Sequence, residues 1–189
     1  MINLKKQKSY LVGIALGDGN LSNPNGRAVR LRITCDKKYP RIISEFISTL
    51  HSIFPNNQIG TSLRKGCVDI SIYSNQLISL MPWKCGAGPK DAQQATIPSW
   101  IKKNRQLLKE CLRGLLQTDG SIYFDRGYLM LNFVNTNKTL ANDVAQSMIT
   151  LGYKPNIQTF RQENGKLKYT IRLSRDTKNF ISEINFWKE

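Results

Sequence analysis

Two stretches of this 189-residue sequence follow the same pattern, LVGIALGDG from Leu11 to Gly19 and LRGLLQTDG from Leu112 to Gly120. Each is an apolar run with small residues at matching positions, and each ends in Asp-Gly. The two aspartates, Asp18 and Asp119, lie about 100 residues apart, so the chain is roughly two such units long. A period of this length is too long for a solenoid repeat and indicates two copies of one α/β module that share a core.

The similarity between the two halves extends beyond these motifs. Three later pairs of segments correspond in the same order: VRLRIT with YLMLNFV, VDISIY with YTIRLS, and LISLMPWK with FISEINFWK. We therefore predict an α+β fold made of two αββαββα repeats, residues 1–96 and 105–189, joined by a linker at 97–104.

Hydrophobic periodicity and turn residues predict the elements of each repeat. In the first repeat they predict a helix over 10–17 capped by Ser9, strands near 20–23 and 28–35, a helix over 36–54, strands near 58–64 and 67–73, and a helix over 75–81 capped by Asn75. In the second they predict a helix over 105–118, strands near 121–125, 128–134, 157–162 and 167–174, and helices over 139–151 and from Thr177.

The charge of the chain indicates its class of partner. Lys and Arg number 28 against 13 Asp and Glu, which gives a net charge of +15. Such an excess favours binding of a polyanion, above all nucleic acid. We expect no membrane association, because the sequence has neither an 18-residue apolar span nor a basic interfacial helix. The basic start lacks the apolar segment of a secretory signal. We expect an intracellular protein, in an organelle (mitochondrion or chloroplast) or a prokaryotic cytoplasm, since Ile, Lys and Asn are abundant.

The cysteines and the histidine do not form a zinc motif. Four cysteines are irregularly spaced without a C-x-x-C pair, and His51 is the single histidine. Buried thiols in a reducing compartment explain them best. A metal in this protein would therefore be bound by oxygen ligands.

Small residues in the two motifs predict that their helices pack closely together. They lie four residues apart on one face of each helix: Gly13 and Gly17, Gly114 and Thr118. Packing on these faces would place Asp18 and Asp119 side by side at two helix C-termini, where like charge and the macrodipole disfavour them by about 0.3–1 kcal/mol per charge from the dipole alone. A divalent cation such as Mg²⁺ would compensate and could support phosphodiester hydrolysis. The alternative is that each Asp-Gly is an ordinary turn.

Two lysines also recur at the ends of the repeats. Lys84 and Lys188 each follow a tryptophan. A lysine beside a scissile phosphate could neutralise developing charge or polarise the attacking water. The alternative is a pair of solvated lysines among many basic residues.

Alternation along the predicted strands indicates a sheet in each repeat with one apolar face and one polar, basic face. A two-stranded ribbon fits the major groove, where Arg reads guanine and Asn reads adenine. The candidate DNA contacts in the first repeat are Asn20, Ser22, Arg27, Arg30, Arg32, Thr34, Arg64, Lys65, Asp69, Ser71 and Tyr73. Those in the second are Ser121, Tyr123, Tyr128, Asn132, Lys168, Thr170 and Arg172.

The chain resembles the LAGLIDADG homing endonucleases in their single-chain form with two motifs. The stretch IPSWIKKNRQLLKECLRGLLQTDGSIYFD from Ile97 is especially similar to the family pattern, and FVNTNKTLANDV from Phe133 fits its strand-to-helix junction. The resemblance implies a pseudo-twofold pair with the motif helices at the central interface and an antiparallel β saddle over DNA. It further implies a magnesium-dependent double-strand break at a long, rare site, leaving 3′ overhangs.

By position in the family pattern, Asp18 and Asp119 would be the metal-binding carboxylates. Lys84 would be the basic residue beside the active site, with Lys188 as its repeat partner. The sequence departs from the pattern where Leu16 and Gln117 replace the earlier motif acid. It departs again at Cys35-Asp36, where the family usually has a polar residue such as Gln, so the auxiliary catalytic residue of the first repeat stays open.

We expect a monomeric endonuclease with an asymmetric target, since the outward residues of the two halves differ. An intron-encoded RNA maturase on the same fold is the alternative, and would need the basic surface but not both carboxylates. A catalytically inactive DNA-binding regulator is a third reading, which the presence of both aspartates disfavours.

Overall fold

The computed structural model describes residues 2–163 and 165–188. The first repeat contains α1 (Ile2–Asp18), β1 (Gly19–Ser22), β2 (Arg30–Asp36), α2 (Pro40–Ile53), β3 (Ile59–Leu63), β4 (Cys67–Tyr73) and α3 (Leu77–Leu80). A one-turn helix in the connection, α4 (Ser99–Lys102), follows. The second repeat contains α5 (Arg105–Asp119), β5 (Gly120–Asp125), β6 (Tyr128–Asn135), α6 (Lys138–Thr150), β7 (Asn156–Arg161), β8 (Leu167–Leu173) and α7 (Thr177–Glu183).

The two repeats have the same topology. Each forms a four-stranded antiparallel sheet, in the order β1-β2-β4-β3 and β5-β6-β8-β7. The register also corresponds, because Gly19 pairs with Ile33 where Gly120 pairs with Phe133. The α+β class with two repeats is therefore confirmed. The described helices include none that is long and apolar enough to cross a membrane.

Helix α1 lies at the centre of the molecule, packed along α5. From Ser9 to Leu16 every residue of α1 is buried, so the helix has no polar face from which its length could be recognised. The predicted start at Tyr10 is wrong, since α1 begins at Ile2. Ser9 is not its cap; its hydroxyl donates to the carbonyl oxygen of Leu107 on α5 at 2.6 Å.

The α1–α5 interface depends on close contact between the two backbones. A Cβ atom added to Gly13 would lie 2.1 Å from the carbonyl oxygen of Cys111. A Cβ atom on Gly114 would lie 2.5 Å from the carbonyl oxygen of Tyr10, and one on Gly17 would lie 2.0 Å from the hydroxyl oxygen of Thr118. No side chain larger than hydrogen fits at the first two positions without moving a helix.

A partly buried polar network joins this helix pair to α2. The guanidinium of Arg113 pairs with Glu45 of α2 and with Glu110, the latter at 2.8 Å, and it stacks over the ring of Tyr10 at 3.9 Å. Gln117 accepts a hydrogen bond from Tyr10 and donates one to Glu45 at 3.2 Å. The residue at the earlier motif-acid position is thus a structural link between α1, α2 and α5.

Two other predicted helix starts are wrong in the first repeat. Strand β2 continues through Asp36, and α2 begins at Pro40, whose fixed φ suits a first helical turn. Asn75 does not cap α3; its amide bridges the backbone of Val29 and Arg27, both at 3.4 Å. In the second repeat, asparagine residues cap α5 and α6. The side chain of Asn104 accepts hydrogen bonds from two backbone N–H groups of α5, and that of Asn137 accepts two from α6.

The connection between the repeats is packed rather than free. Ala95, Ile97 and Ile101 are buried in the core. The Ile97 N–H donates to Asp143 of α6 at 3.0 Å, and the side chain of Asn137 donates to the Ala95 carbonyl at 2.9 Å. Part of the predicted linker therefore anchors the first repeat on the second.

We predict that the Gly13→Ala variant loses about 2–4 kcal/mol of unfolding free energy, because the new methyl group would overlap a backbone carbonyl that cannot rotate away. The matched control is Gly60→Ala in β3, whose Cβ would lie 3.0 Å from the movable Ser71 hydroxyl. Urea denaturation of both variants measures the difference, and equal losses would contradict the close-contact interface.

Candidate active site at the ends of the paired helices

The two motif aspartates are the last residues of the two central helices. Asp18 ends α1 and Asp119 ends α5, and the contact of Gly17 with Thr118 brings these ends together. Strands β1 and β5 begin at the next residues, so the pair sits where both sheets leave the helix interface. Asp18 remains exposed and Asp119 is partly buried.

Burial disfavours the charged form of both carboxylates. Burial and the charge of Asp18 together raise the pKa of Asp119 to about 6, against the lowering effects of Asn135, Lys90 and Lys188. The protein atoms crowded around Asp18 also raise its pKa, opposed by the same two lysines. The pair is therefore a site of excess negative charge that favours binding of a cation.

Lys90 holds the C-terminal end of α1. Its Nζ atom donates to the carbonyl oxygens of Ala15, Leu16 and Gly17 at 3.0, 2.8 and 2.5 Å, so its three N–H groups match three carbonyls that the helix leaves unpaired. Burial lowers the pKa of Lys90 to about 8, although Asp119 and Asp18 favour its charged form. No motif or repeat pattern in the sequence singles out this lysine.

Lys188 plays the corresponding part at the end of α5. Its Nζ atom donates to the carbonyl oxygens of Thr118 at 2.8 Å and Gly120 at 2.7 Å. Burial lowers its pKa, opposed by Asp18 and Asp119. The structure thus places one lysine at each helix C-terminus, where the macrodipole favours positive charge.

The predicted partner of Lys188, Lys84, is not at this site, and that prediction is wrong. Lys84 is exposed and lines a different cavity with Leu21 and Trp83. Its backbone is held by the side chain of Gln93, and no contact of its side chain with either aspartate is found among the described residues. Aligning Trp83-Lys84 with Trp187-Lys188 indicated the wrong lysine, because the first repeat has a loop after Trp83.

That loop brings Lys90 back to the helix end. Gly86 and Gly88 adopt φ of 78° and 92°, a left-handed conformation that suits glycine, and Pro89 precedes Lys90. The ammonium of Lys90 then lies 5.4 Å from the centre of the Trp83 ring. The sequence shows a Gly- and Pro-rich segment followed by a lysine. Only the folded structure shows that this lysine contacts the end of α1.

The sequence analysis also missed a side chain beside Asp119. The Nδ2 atom of Asn135, the last residue of β6, donates to Oδ2 of Asp119 at 2.9 Å. By sheet register the equivalent residue of the first repeat is Cys35, which is buried beside Asp18. Burial raises the pKa of the Cys35 thiol to about 12, and the charge of Asp18 adds to the effect, so the thiol is neutral. Aligning the second long strands of the two repeats in the sequence would have marked Cys35 and Asn135 as equivalent positions.

Two cavities flank the aspartate pair. The larger, about 490 Å³, is lined by residues that include Asp119, Asn135 and Lys90. The smaller, about 60 Å³, is lined by residues that include Asp18, Cys35 and Lys188. Both cavities thus bring a motif aspartate together with a lysine, Asp119 with Lys90 and Asp18 with Lys188, but their sizes and third partners differ.

The two carboxylates suit a hard divalent cation whose remaining coordination positions are filled by other ligands. No group of three or more His, Cys, Asp or Glu side chains that could hold a metal occurs among residues 2–163 and 165–188. Two carboxylates whose pKa values are raised mainly by burial supply charge and oxygen donors, and the remaining positions of such an ion would be filled by water or phosphate oxygens. The protein residues therefore fit Mg²⁺ or a similar ion bound together with a substrate.

Most of the predicted DNA contacts lie on the outer faces of the two sheets. Alternation puts Asn20, Ser22, Arg30, Arg32, Thr34, Ser71 and Tyr73 on one, and Ser121, Tyr123, Tyr128, Asn132, Lys168 and Arg172 on the other. Arg27 and Lys65 lie in exposed turns and Arg64 just after β3. The Nε atom of Arg32 is buried and makes no hydrogen bond within residues 2–163 and 165–188.

Two of these predictions are wrong about exposure. Asp69 lies on the outer face but is 4% exposed, because it accepts a hydrogen bond from Thr34 at 2.7 Å and pairs with Arg64 at 2.5 Å. Thr170 is 8% exposed in the central strand β8. Neither side chain can reach a base directly as the structure stands. Register adds Ser62 and Gln158 to the outer faces, and the sequence analysis did not name them.

We predict that Lys90→Met lowers the unfolding free energy by about 2 kcal/mol, because it removes charge-assisted hydrogen bonds to three carbonyls. Lys84→Met serves as the matched control and should stay within about 0.5 kcal/mol of wild type. Urea denaturation near pH 7 measures both. A loss in Lys84→Met as large as that in Lys90→Met would contradict the assignment.

The raised pKa of Asp119, about 6 instead of 3.8, predicts a pH-dependent stability. Folded protein binds more protons at this group than unfolded protein does, so its contribution is full below about pH 4 and is lost as the pH rises through 6. We expect the metal-free wild type to lose on the order of 1–2 kcal/mol between pH 4 and 7 relative to Asp119→Asn, allowing for solvent screening. Parallel pH profiles for the two proteins would contradict this.

Comparison with known sequences identifies related domains in both halves. Residues 106–185 match a family model described as LAGLIDADG-like domain, and residues 7–61 match one described as WhiA LAGLIDADG-like domain. A curated relative, the replicative DNA helicase DnaB of Mycobacterium intracellulare, is 35% identical over 88 residues. These residues are 44% of this chain but 15% of the helicase, so the match concerns a small part of that protein.

Solved structures share the fold over nearly the whole chain. Mesophilic variants from the homing endonuclease I-DmoI match with a TM-score of 0.72 and 19% identity, over 96% of each chain. A variant of I-DmoI in complex with its target DNA and Mg matches with a TM-score of 0.73 and 19% identity, over 98% of each chain. The N-terminal LAGLIDADG domain of DUF199/WhiA matches with a TM-score of 0.65 and 15% identity, over 97% of this chain and 84% of that domain.

At these identities the structural matches establish the fold, and the two family models show that both halves contain LAGLIDADG-like sequence. They confirm the resemblance that the Asp-Gly motifs indicated. This chain belongs to the LAGLIDADG family, as a member with two repeats.

Proposed function

We propose that this protein is a site-specific DNA endonuclease that makes a metal-dependent double-strand break in a long, asymmetric duplex target. The observation that carries the proposal is the pair Asp18 and Asp119, held side by side at two helix ends with Lys90 and Lys188 beside them. A purely structural helix interface needs no pair of carboxylates in an unfavourable electrostatic environment.

The outer faces of the sheets supply the binding surface. They extend from the aspartate pair on both sides and carry arginines, lysines, hydroxyls and amides. The net charge of +15 supports affinity for the phosphate backbone, which would be salt-dependent. Base contacts from the side chains on these faces would add the sequence preference.

A divalent cation, for which we propose Mg²⁺, would be held by Asp18 and Asp119. When bound, it would lower the pKa of a water and stabilise negative charge on the phosphate. I-DmoI has been solved with DNA and Mn, with target DNA and Mg, and with DNA and Ca, which supports a divalent ion here. The cluster of only two protein carboxylates leaves room for phosphate oxygens as further ligands.

The lysines act as fixed positive charges in this proposal. The three N–H groups of Lys90 are all directed to carbonyl oxygens, so Lys90 is a poor proton donor and instead stabilises charge through space. Two N–H groups of Lys188 are engaged in the same way. Both ammonium groups would oppose the negative charge that develops on the phosphate in the transition state.

The reaction in each strand is hydrolysis of one phosphodiester. A water oxygen forms a bond to phosphorus, one P–O ester bond breaks, and the departing oxygen takes up a proton as the attacking water loses one. The aspartates would hold the ion and so help to orient the water, and the cavity of about 490 Å³ beside Asp119 offers the space for a phosphate. We propose cohesive ends with 3′ overhangs, as the resemblance implies.

The wider setting of the activity is also a proposal. Both carboxylates come from one chain, which favours a monomer, and the different outer faces of the two halves favour an asymmetric target. Intron homing in a mitochondrion, a chloroplast or a prokaryotic cytoplasm is the biological role that the resemblance implies.

We expect the purified protein with Mg²⁺ to cut one long asymmetric sequence in a randomised duplex library. Asp18→Asn and Asp119→Asn should each lower cleavage at least about 100-fold, because each removes half of the ion's protein ligands, while DNA binding is retained. Sequencing of the cut ends and gel-shift binding measure the two effects. A matched control is Asp176→Asn, an exposed aspartate at the start of α7, which should cut like wild type.

The same experiment separates the endonuclease from a maturase. If no duplex is cut with Mg²⁺ or Mn²⁺ and the protein binds its intron RNA more tightly than duplex DNA at equal salt, the endonuclease proposal is wrong. A selected site that is a perfect palindrome would refute the proposed asymmetry alone.

A further inference from the structure

A third cavity, larger than the two beside the aspartates, takes no part in the proposed reaction. It measures about 770 Å³ and lies at the end of the first sheet where β1 leads to β2. Leu21, Val29 and Trp83 are buried in its wall, and Ile78 of α3 adds a fourth large apolar side chain. A concave, mainly apolar space of this size is typical of small-molecule sites in proteins.

The loop that follows Trp83 forms one side of this cavity. Residues 84–86 line it, and the same loop continues to Lys90. Leu21 shares the cavity with the loop and is 9% exposed, whereas its equivalent in the second repeat, Ile122, is 37% exposed. The apolar surface at this place is therefore enclosed in the first repeat and open in the second.

Two exposed polar side chains, Lys84 and Asn23, line the same cavity. Gln93 binds the backbone of Lys84, and the Lys84 ammonium makes no ion pair or hydrogen bond with the residues that the structure describes. None of the described residues that line the cavity is Asp or Glu. An anion at the exposed edge of the cavity would therefore meet an unpaired positive charge and an amide donor.

The ring of Trp83 connects this cavity to the lysine at the end of α1. The Lys90 ammonium lies 5.4 Å from the centre of that ring, and it donates to the carbonyl oxygens of residues 15–17. The far end of the loop is thus held at α1, while its first residues face the cavity. A ligand that packs on Trp83 and residues 84–86 would add contacts at the end of the loop that α1 does not hold.

We propose that this cavity binds a small amphipathic acid, with an apolar body of one or two rings against Trp83, Leu21 and Ile78 and its carboxylate beside Lys84. The bound acid stabilises the loop that carries Lys90. Leu21 belongs to the inner face of the sheet, so the acid and a duplex on the outer face can bind together. The inference goes beyond the proposed endonuclease function and does not depend on it.

The first test compares an acid with a neutral molecule of the same shape, 2-naphthoate with 2-naphthalenemethanol, by titration calorimetry. Wild type should bind one 2-naphthoate with a dissociation constant on the order of 0.1 mM, and the alcohol at least about fivefold more weakly. Lys84→Met should remove this difference between the two probes. Lys103→Met is the matched control, because Lys103 is an exposed lysine outside the cavity, and it should preserve the difference.

Thiol alkylation locates the bound acid within the protein. Cys85 and Cys67 are both partly exposed, but of the two only Cys85 lines the cavity. Saturating 2-naphthoate should slow alkylation of Cys85 by iodoacetamide at least about fivefold and leave Cys67 unchanged. Cys85→Phe, which would fill the cavity, should abolish binding of 2-naphthoate. Hydrogen exchange of the amides of residues 84–90 should slow when the acid is bound.

The possible results separate this site from the proposed endonuclease. Absence of saturable 2-naphthoate binding, equal affinity for the alcohol, or unchanged binding in a folded Cys85→Phe variant would overturn the site. If that variant does not fold, unprotected Cys85 in wild type has the same meaning. Protection of Cys85 by duplex DNA but not by 2-naphthoate would assign the cavity to DNA instead. Unchanged exchange over residues 84–90 would overturn the effect on the loop. None of these measurements requires cleavage, so their failure leaves the endonuclease proposal intact.

Discussion

The contact between the backbones of α1 and α5 is the constraint on which the rest of the structure depends. Glycine at Gly13 and Gly114 lets each helix approach the other's carbonyl oxygens to a distance that no side chain permits. This approach brings the C-terminal ends of the helices together, joins the two repeats in one core, and sets where the sheets begin. The positions of Asp18 and Asp119 follow from it.

The same contact brings carbonyl oxygens and carboxylates together at the ends of α1 and α5, and two lysines lie beside them. Two parallel helix ends present unpaired carbonyls, and two carboxylates follow them. Lys90 and Lys188 each donate to the carbonyls of one helix end and lie near both acids. Their charges offset part of the repulsion, yet the pKa of Asp119 stays near 6. The two carboxylates would bind a cation, whose positive charge would in turn attract a phosphate.

Repetition of the fold does not imply repetition of the chemistry. The strand order and register of the two sheets are the same, but the loop that carries Lys90 is absent from the second repeat, where Lys188 lies beside Trp187 in the sequence. Asn135 in one half corresponds to Cys35 in the other. The outer faces also differ, since buried Asp69 ties Thr34 and Arg64 together in the first sheet, while Asn132 links Tyr123 and Arg172 in the second. A two-repeat chain can diverge in this way because a substitution in one half is not imposed on the other.

Several features could be predicted from the sequence because they depend on local patterns and on the repeat. The α+β class, the two repeats and most strand bounds follow from period-two alternation and turn residues, and the small-residue spacing indicated the helix interface and the aspartate pair. The bounds of α1 could not be predicted, because a helix buried on all sides has no amphipathic pattern.

The tertiary structure alone decided which lysine contacts the end of α1, which side chain lies beside each aspartate, and that Asp69 is buried. Alignment of Trp83 with Trp187 favoured Lys84, but the loop after Trp83 delivers Lys90 instead. Such contacts join residues distant in sequence, as Lys90 and Leu16 are, and depend on loop paths and cross-strand register. Local propensity and periodicity carry no information about those paths.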